Sequence, residues 1–291
     1  MSFAGLWLYE NKLSLGAQSQ NSYKGILQGC LTIKKGKHMR QTVFITGATS
    51  GIGKATAEFL AKHNFRLILC GRREERLREL ENTLGAETDV TTLLFDVRYK
   101  EQVFASIEGL PADFKQIDIL INNAGNAHGL DPFQEGCTDD WDAMIDINVK
   151  GLLYVSRAII PQMIERNSGF IINIGSTAGK EVYPRGNVYC ASKYAVNAIN
   201  KGMRIDLNQY HIRVSGIHPG LVETEFSNVR FKGDTERADK VYQGYKALEA
   251  ADIAEIIHFV ITRPFHVSIE DLVVYPTAQA TATMVNKNRM K

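Results

Sequence analysis

A tyrosine and a lysine four residues apart could together move a proton. Tyr189 and Lys193 are i and i+4, so on a helix they share one face. Reducing a ketone needs a proton donor, and the reverse reaction needs a base. A free tyrosine has a pKa of about 10, and a nearby ammonium group lowers that pKa because it favours the phenolate. Ser176, thirteen residues before Tyr189, can donate a hydrogen bond to a substrate oxygen as charge develops.

A periodic stripe of residues adds an asparagine to this group. Six residues fall at alternating spacings of four and three, which predicts one buried helix face: Trp141, Ile145, Asn148, Leu152, Val155 and Ile159. Asn148 is the only strongly polar member, and a buried amide must find hydrogen-bond partners. Two interpretations stay open, a satisfied core asparagine or a bonded water site that links Lys193 to solvent.

A glycine-rich turn follows the first apolar run of the sequence. The segment Gly47-Ala48-Thr49-Ser50-Gly51-Ile52 lies between a short β-rich run and an amphipathic stretch. Glycines let backbone N–H groups approach an anion, and the next helix presents its positive end to the same anion. The spacing is GxxxGxG, whereas the commoner dinucleotide fingerprint is GxGxxG. The turn predicts a site for a cofactor pyrophosphate, with a merely flexible turn as the alternative.

The end of the second apolar run bears on which cofactor is bound. Sites for NAD usually have a carboxylate there, which bonds the ribose 2′-hydroxyl. Here the run ends in Arg72 and Arg73, and arginine binds a phosphate through a bidentate fork. The alternative is a pair of solvated arginines at a helix start. The pattern predicts NADP as the cofactor.

Short apolar runs alternate with segments of helical periodicity from Met39 onward. This alternation predicts βαβ units and a buried parallel sheet, in a single-domain, doubly wound α/β fold of the Rossmann type over residues 39–291. The predicted strands are seven: Thr42–Thr46, Arg66–Cys70, Thr91–Phe95, Ile117–Ile121, Phe170–Ile174, Ile212–Ile217 and Leu272–Tyr275. Asp96, Val97 and Asn123 follow the third and fourth runs, where ligands bind in such sheets.

The composition excludes several classes of protein. Lysine plus arginine is 34 and aspartate plus glutamate is 32, and the resulting net charge of +2 argues against a nucleic-acid binder. No run approaches the roughly 18 apolar residues of a membrane helix, so no membrane partner is expected. The four cysteines have no CxxC pair and the seven histidines show no ligand-like pairing. We therefore expect no disulfide framework, no metal, and a reducing, cytoplasmic location.

The first 38 residues differ from the rest of the chain. Residues 1–38 mix Ser, Gln, Asn and Gly with short apolar patches, and no basic segment precedes an apolar stretch of secretory length. We interpret them as a poorly ordered extension, or as translation from an upstream start with Met39 as the functional start. A targeting or partner-binding role is the alternative.

Taken in order, these motifs resemble those of the short-chain dehydrogenase/reductase family. The resemblance covers about residues 40–280, through the glycine turn, the segment Asn122–Gly125, Ser176, and then Tyr189 and Lys193. It implies that Tyr189 donates and accepts the proton, that Lys193 anchors the nicotinamide ribose, and that Ser176 orients the substrate. Asn148 would be the fourth member of this catalytic set.

The resemblance also implies a set of cofactor contacts along the strand ends. These residues are Gly47, Ala48, Thr49, Ser50, Gly51, Ile52, Arg72, Arg73, Asp96, Val97, Asn123, Tyr189, Lys193, Pro219, Gly220, Val222 and Thr224. The last four would cover the nicotinamide and the cofactor phosphates after the sixth strand.

Within the family, three segments resemble the NADP-dependent 3-hydroxy acid dehydrogenases. They are Gly71–Arg73, Ile172–Gly179 and Thr224–Asp234. This branch implies a substrate such as serine, allo-threonine or a 3-hydroxybutyrate-like acid, converted to its 3-oxo acid or semialdehyde, and a homotetramer. Apolar residues beside the helix stripe are a surplus that also indicates a subunit contact: Met144, Leu153, Ile160 and Met163.

Other activities on the same scaffold remain alternatives. One is a broad-specificity carbonyl reductase or a 3-oxoacyl reductase. Another, from a different class, is a non-catalytic NADP-binding sensor, although such a module does not require Ser176, Tyr189 and Lys193 to be intact.

The segment after the sixth strand is predicted to be a lid over the active site. Ser227–Asp234 has a glycine and few periodic apolar positions, and it carries Arg230 and Lys232. A 3-hydroxy acid has a carboxylate two bonds from its carbinol carbon, and arginine binds carboxylates bidentately. We expect Arg230 to bind that carboxylate, with a solvated loop charge or a tetramer contact as the alternative. The loop Lys180–Arg185 is expected to shape substrate choice.

Overall fold

The computed structural model describes residues 40–287, and the predictions for residues 1–38 lie outside the described residues. Seven strands form one sheet in the order β3-β2-β1-β4-β5-β6-β9, and β7 and β8 form a separate parallel pair. In chain order the strands are β1 (Thr42–Thr46), β2 (Arg66–Gly71), β3 (Val90–Leu94), β4 (Ile119–Asn122), β5 (Gly169–Ile174), β6 (Ile212–Pro219), β7 (Val222–Glu223), β8 (Leu248–Glu249) and β9 (Asp271–Val274). Each neighbouring pair in the main sheet is parallel. The predicted seven-stranded, doubly wound sheet is confirmed.

Helices cover both faces of this sheet, which is why its strands are continuous apolar runs. In the described part of the chain the α-helices are α1 (Gly51–Ala61), α2 (Glu74–Leu84), α3 (Lys100–Glu108), α4 (Thr138–Ile145), α5 (Leu152–Glu165), α6 (Asn187–Leu207), α7 (Phe226–Arg230), α8 (Thr235–Tyr242) and α9 (Ala250–Ile261). Alternate residues of β1 point to opposite faces, so Val43 and Ile45 join one core cluster and Phe44 joins the other.

The strand order places the ligand-binding edge. The chain runs from β1 through β2 to β3 at one edge, then crosses to β4 on the other side of β1. Ligands in open α/β sheets bind at the carboxyl ends of the strands, beside such a reversal. The loops after β1 and β4 therefore lie together, and they carry the glycine turn and Asn123.

The helix predicted around Asn148 is not a single regular helix. A π-helical turn, Asp146–Gly151, joins α4 to α5. The wider turn shifts the register, so Val155 and Ile159 are fully buried whereas Trp141 and Ile145 are only half-buried. The single buried stripe is therefore wrong in its first half.

The predicted lid is more regular than a loop. It contains α7 (Phe226–Arg230), and Asp234 caps α8 through a hydrogen bond that its carboxylate accepts from the Arg237 N–H at 3.0 Å. Five residues are too few for a periodic signal, which is why the sequence pattern did not reveal α7. In residues 40–287, no helix has the length and apolar character that crossing a membrane requires.

Candidate active site

A cleft of about 320 Å³ opens at the carboxyl ends of the strands, from the tips of β2 and β3 to α6. Ser176 and all but one of the predicted cofactor residues line it. The exception is Ala48, which is fully buried and whose backbone N–H donates to the Cys70 carbonyl at 3.0 Å. That N–H is committed to β2, so Ala48 shapes the turn without lining the cleft.

The glycine turn has a backbone that glycine alone adopts without strain at two positions. Gly47 and Gly51 have φ of +65° and +50°. The Asn123 side-chain amide donates to the carbonyls of Thr46 at 2.8 Å and Gly47 at 3.2 Å, so the loop after β4 holds the turn in place. A Cβ on Gly53 would lie 2.4 Å from that amide nitrogen. The result is a tight backbone cradle at the start of α1.

Arginines surround the far end of the cleft. Arg73 donates from Nε and Nη2 to the Thr49 hydroxyl at 3.1 and 3.0 Å, and Arg72 donates to Asp96 at 3.3 Å. Arg76, in the first turn of α2, donates to the Thr49 carbonyl at 3.4 Å. These guanidinium groups suit a phosphate, and the glycine cradle suits a pyrophosphate at a helix start. The residues present therefore fit NADP.

Asp96 lies at the tip of β3 within this cationic group. Burial opposes its ionisation, but hydrogen bonds from Arg98 and the charges of Arg72 and Arg98 hold the pKa of its carboxyl below the ordinary value. Arg98 donates to it from Nη2 at 2.7 Å. Val97, next in the chain, lies against the π turn, since a Cβ on Gly151 would be 2.6 Å from its Cγ2.

Tyr189 and Lys193 lie on one face of α6 at the other end of the cleft, beside Ser176 at the end of β5. Ser176 hydrogen-bonds the Tyr189 hydroxyl, and its Oγ accepts the Ala178 N–H at 3.1 Å. Lys193 Nζ donates to the Ile174 carbonyl at 3.1 Å. The structure thus brings the three predicted catalytic side chains together.

Burial changes the acidity of this group in a way that the sequence reading did not anticipate. Burial, and secondarily the neighbouring Tyr183, raises the pKa of the Tyr189 hydroxyl, although hydrogen bonding by Ser176 opposes the shift. Burial also lowers the pKa of Lys193 to about 8. Among the protein's own groups desolvation outweighs the neighbours of Tyr189, and the lowering of its pKa by Lys193 together with the positive nicotinamide ring stays a prediction.

Asn148 lies in the π turn, buried and fully engaged with protein groups. Its Oδ1 accepts the Asn126 N–H at 2.8 Å, and its Nδ2 donates to the Asn126 carbonyl and to Ser192 Oγ, both at 2.9 Å. A Cβ on Gly125 would lie 3.2 Å from this Oδ1 and 3.4 Å from Lys193 Nζ. Asn148 is therefore close to Lys193, and its part in proton transfer stays a prediction.

Of the two cations in the predicted lid, only Arg230 lies beside Tyr189. Its guanidinium carbon is 5.5 Å from the centre of the Tyr189 ring, and its Nη2 donates to the Tyr183 hydroxyl at 2.9 Å. Lys232 instead forms an ion pair with Asp140 at 2.9 Å. Tyr183 belongs to the loop Lys180–Arg185, which the sequence marked for substrate choice without naming this residue.

A buried histidine behind Ser176 was missed in the sequence. His218 on β6 is 1% exposed, and its Nε2 lies 3.0 Å from Asp271 Oδ1, while Lys180 binds the other oxygen of Asp271. Burial and then the Lys180 charge lower the pKa of His218, against the opposing effect of Asp271. The only feature of the sequence that could have indicated a role for His218 is its position directly before Pro219 and Gly220.

Comparison with known proteins gives the same result at family level. A family model described as short chain dehydrogenase matches residues 41–235. NADP-dependent 3-hydroxy acid dehydrogenase YdfG of Escherichia coli (strain K12) is 46% identical over 241 residues, which cover 82% of this chain and 96% of that protein. Sulfoacetaldehyde reductase 2 of Chromohalobacter salexigens is 44% identical over 243 residues, covering 83% and 96%.

Solved structures give a matching fold. The closed form of serine dehydrogenase complexed with NADP⁺ superposes with a TM-score of 0.80 at 45% identity, covering 83% of this chain and 97% of that chain. Serine dehydrogenase from Escherichia coli gives a TM-score of 0.72 at 39% identity, covering 82% and 100%.

Proposed function

The chain belongs to the short-chain dehydrogenase family as an NADP-dependent oxidoreductase, and on that premise we propose that it interconverts short 3-hydroxy acids and their 3-oxo acids or semialdehydes. Candidate substrates are serine, allo-threonine and 3-hydroxybutyrate-like acids. Relatives named for 3-hydroxy acids and for serine support this substrate class.

In this proposal the chain's own residues hold the substrate and move its proton. Bound NADP⁺ supplies the hydride acceptor for oxidation, and NADPH the donor for reduction. Tyr189 takes the proton of the carbinol hydroxyl during oxidation and returns it during reduction. Ser176 donates a hydrogen bond to the same substrate oxygen, and the Lys193 cation stabilises the tyrosinate and bonds the nicotinamide ribose. Arg72 and Arg73 hold the 2′-phosphate.

The position of Arg230 is the observation that carries the substrate class. Its guanidinium lies against the Tyr189 ring, two of its N–H groups donate to Tyr183 and to the Gly129 carbonyl, and among the described residues no acceptor engages its Nη1. We therefore assign that nitrogen to the carboxylate of a substrate whose carbinol is held at Tyr189. Arginine retains its charge throughout the working pH range, so it can bind the substrate carboxylate at any pH in that range.

A short sulfonate is a second candidate for the same position. Sulfoacetaldehyde carries its anion on the carbon next to the aldehyde, and a guanidinium binds a sulfonate as it does a carboxylate. The similarity to a sulfoacetaldehyde reductase favours including this aldehyde with the 3-oxo acids. A broad carbonyl reductase, in contrast, would need no anion at all.

The test compares a 3-hydroxy acid with its methyl ester in wild type, Arg230→Ala and Lys232→Ala, each with NADP⁺ and with NAD⁺. We expect wild type to prefer the acid, and Arg230→Ala to lose that preference by roughly tenfold or more, the value of one charge-assisted bond. Lys232→Ala is the matched control, since Lys232 is bound to Asp140. Equal wild-type rates on acid and ester would assign the protein to the carbonyl reductases.

The same proposal extends to assembly and compartment. We propose a homotetramer, as the resemblance implies, and a cytoplasmic location.

A further inference from the structure

Glu225 connects the cationic end of the cleft to the lid. It is the N-cap residue of α7, and its carboxylate accepts hydrogen bonds from Arg73 at 3.0 Å and from Arg76 at 2.7 and 3.0 Å. The same Arg73 is held by Thr49 in the glycine turn. One carboxylate thus links the start of α7 to α2 and, through Arg73, to the turn after β1. Glu225 is about 150 residues from these two arginines in the chain.

The carboxylate occupies the position of a counter-anion to the arginines that would bind the 2′-phosphate. Burial opposes its ionisation, but hydrogen bonds from Arg73 and Arg76 and their charges hold the pKa of Glu225 below its ordinary value, so it is ionised near neutrality. Arg73 and Glu225 both line the cleft, so a phosphate bound at Arg73 would lie in the same space as this carboxylate. A phosphate dianion at Arg73 meets the negative charge of Glu225 nearby, whereas NAD carries no such group.

We propose that Glu225 is a specificity-determining residue, a built-in counter-charge that weakens binding of the 2′-phosphate while tethering the lid helix α7 to the cofactor-binding arginines. When the phosphate binds, Arg73 is shared between it and Glu225. The hydrogen bonds from Arg76 to Glu225 then keep α7 attached to α2. This inference rests on the proposed phosphate role of Arg72 and Arg73.

The tether reaches the substrate side of the cleft because α7 is short. Glu225 lies at its start and Arg230 at its end, where the guanidinium lies over Tyr189. Because α7 has only five residues, we expect that holding its N-cap residue also restricts the position of Arg230. Glu225 is 47% exposed as a side chain, so its ion pairs add little to global stability and act locally.

The binding test uses Glu225→Gln, which keeps the size of the side chain and removes its charge. Glu223→Gln is the matched control, since Glu223 lies two residues earlier in the same segment and its loss changes the net charge equally. Affinities for NADPH and NADH are measured by fluorescence titration without substrate. We expect Glu225→Gln to bind NADPH roughly three- to tenfold more tightly with NADH unchanged, the effect of one screened charge near a dianion. Unchanged or weaker NADPH binding overturns the proposal.

The tether is tested by limited trypsin digestion of the unliganded protein, followed by mass spectrometry. Glu225→Gln should be cleaved after Arg230 or Lys232 several times faster than wild type and Glu223→Gln, with the same melting temperature. Equal cleavage rates in Glu225→Gln and wild type would show that Glu225 does not hold α7 in place.

Arg73→Gln separates the two levels of inference. If it leaves NADPH affinity unchanged, the phosphate role assigned to this arginine is wrong. If it weakens NADPH while Glu225→Gln does not strengthen it, only the counter-charge role of Glu225 fails.

Discussion

Lys193 carries a conflict between its proposed role and its surroundings. Its charge is needed beside Tyr189, yet the side chain is 5% exposed and burial lowers its pKa from 10.5 to about 8. A base whose folded pKa lies below its unfolded value destabilises the fold when it is protonated. The penalty is fully present below about pH 8 and disappears as the pH rises toward 10.5.

The first prediction follows from this conflict. Lys193→Met should make the unliganded protein more stable at pH 7, by about 2–3 kcal/mol, because a methionine incurs no desolvation of charge. The gain over wild type should shrink between pH 8 and pH 10. Urea denaturation at fixed protein concentration measures both. A wild type more stable than the variant at pH 7 would contradict the buried-cation argument.

The second prediction concerns the proton carrier. Tyr189→Phe should lower turnover by at least about 10²-fold, the contribution of a general acid–base group, while NADPH binding largely survives. Tyr194→Phe is the control, since Tyr194 is on the same helix and donates to the Lys180 carbonyl at 2.6 Å. Steady-state rates and a fluorescence titration provide the two readouts. Near-normal turnover in folded Tyr189→Phe would rule out the mechanism.

Residue order was enough to predict that Ser176, Tyr189 and Lys193 lie together, but it did not predict the acidity of these groups. Ser176, Tyr189 and Lys193 are identified by type and spacing, and the structure brings them together. The direction of the pKa shift of Tyr189 depends on how completely it is buried, which spacing does not encode. Hydrogen-bond partners that are distant in sequence, such as Tyr183 for Arg230, could not be predicted either, because residue spacing does not show which loops meet.

At the scale of elements, the sequence predicted those whose signals extend over many residues. Seven apolar runs identified seven strands because parallel strands are buried on both faces. The π turn at Asp146–Gly151 was not predicted, because the stripe of residues assumed regular α-helical spacing throughout. The segment predicted to be a lid contains helix α7, which is too short to show a period, and its action as a lid stays a prediction.

The third prediction concerns the contact between β5 and β6. A Cβ on Gly175 would lie 2.2 Å from Nδ1 of the buried His218, so Gly175→Ala must displace that ring or the strand end that carries Ser176. We expect a loss of about 1–3 kcal/mol in unfolding free energy. Removing the ring with His218→Ala should make the double variant more stable than the sum of the single effects predicts.

A glycine in open space supplies the control for this prediction. Gly202 on α6 has nothing within 4 Å of its would-be Cβ, and alanine favours a helix, so Gly202→Ala should be neutral or stabilising. Strictly additive effects of Gly175→Ala and His218→Ala would show that the ring is not what the methyl group meets.

At the scale of the molecule, the structure changes the argument for assembly. Met144 and Met163, which the sequence counted as surplus apolar surface, are buried in the chain's own core. Leu153 on α5 and Tyr194 and Ile205 on α6 are instead 41%, 40% and 73% exposed. Exposed large apolar side chains can mark a subunit contact when they form one patch, and these three are our candidates for it.

The fourth prediction is therefore that the protein is a homotetramer at micromolar concentration, measured by light scattering. Leu153→Glu and Ile205→Glu should together lower the mass, because they place charge where an apolar contact is expected. Phe259→Glu, at an exposed position on α9, is a control of the same kind. A monomeric wild type would contradict the assembly.

The division of the cleft between two halves of the sheet has a consequence for how such a protein can change over generations. The groups that would recognise the cofactor phosphate come from the ends of β2 and β3, and those that would act on the substrate come from β5 and α6. Mutations at a few positions near the ends of β2 and β3 can therefore change the preferred cofactor while the residues that act on the substrate stay the same. Glu225 bonds Arg73 and begins the lid helix, so a change of Arg73 should be accompanied by a change at Glu225. Homologues that use NAD should therefore also differ at this position, about 150 residues further along the chain.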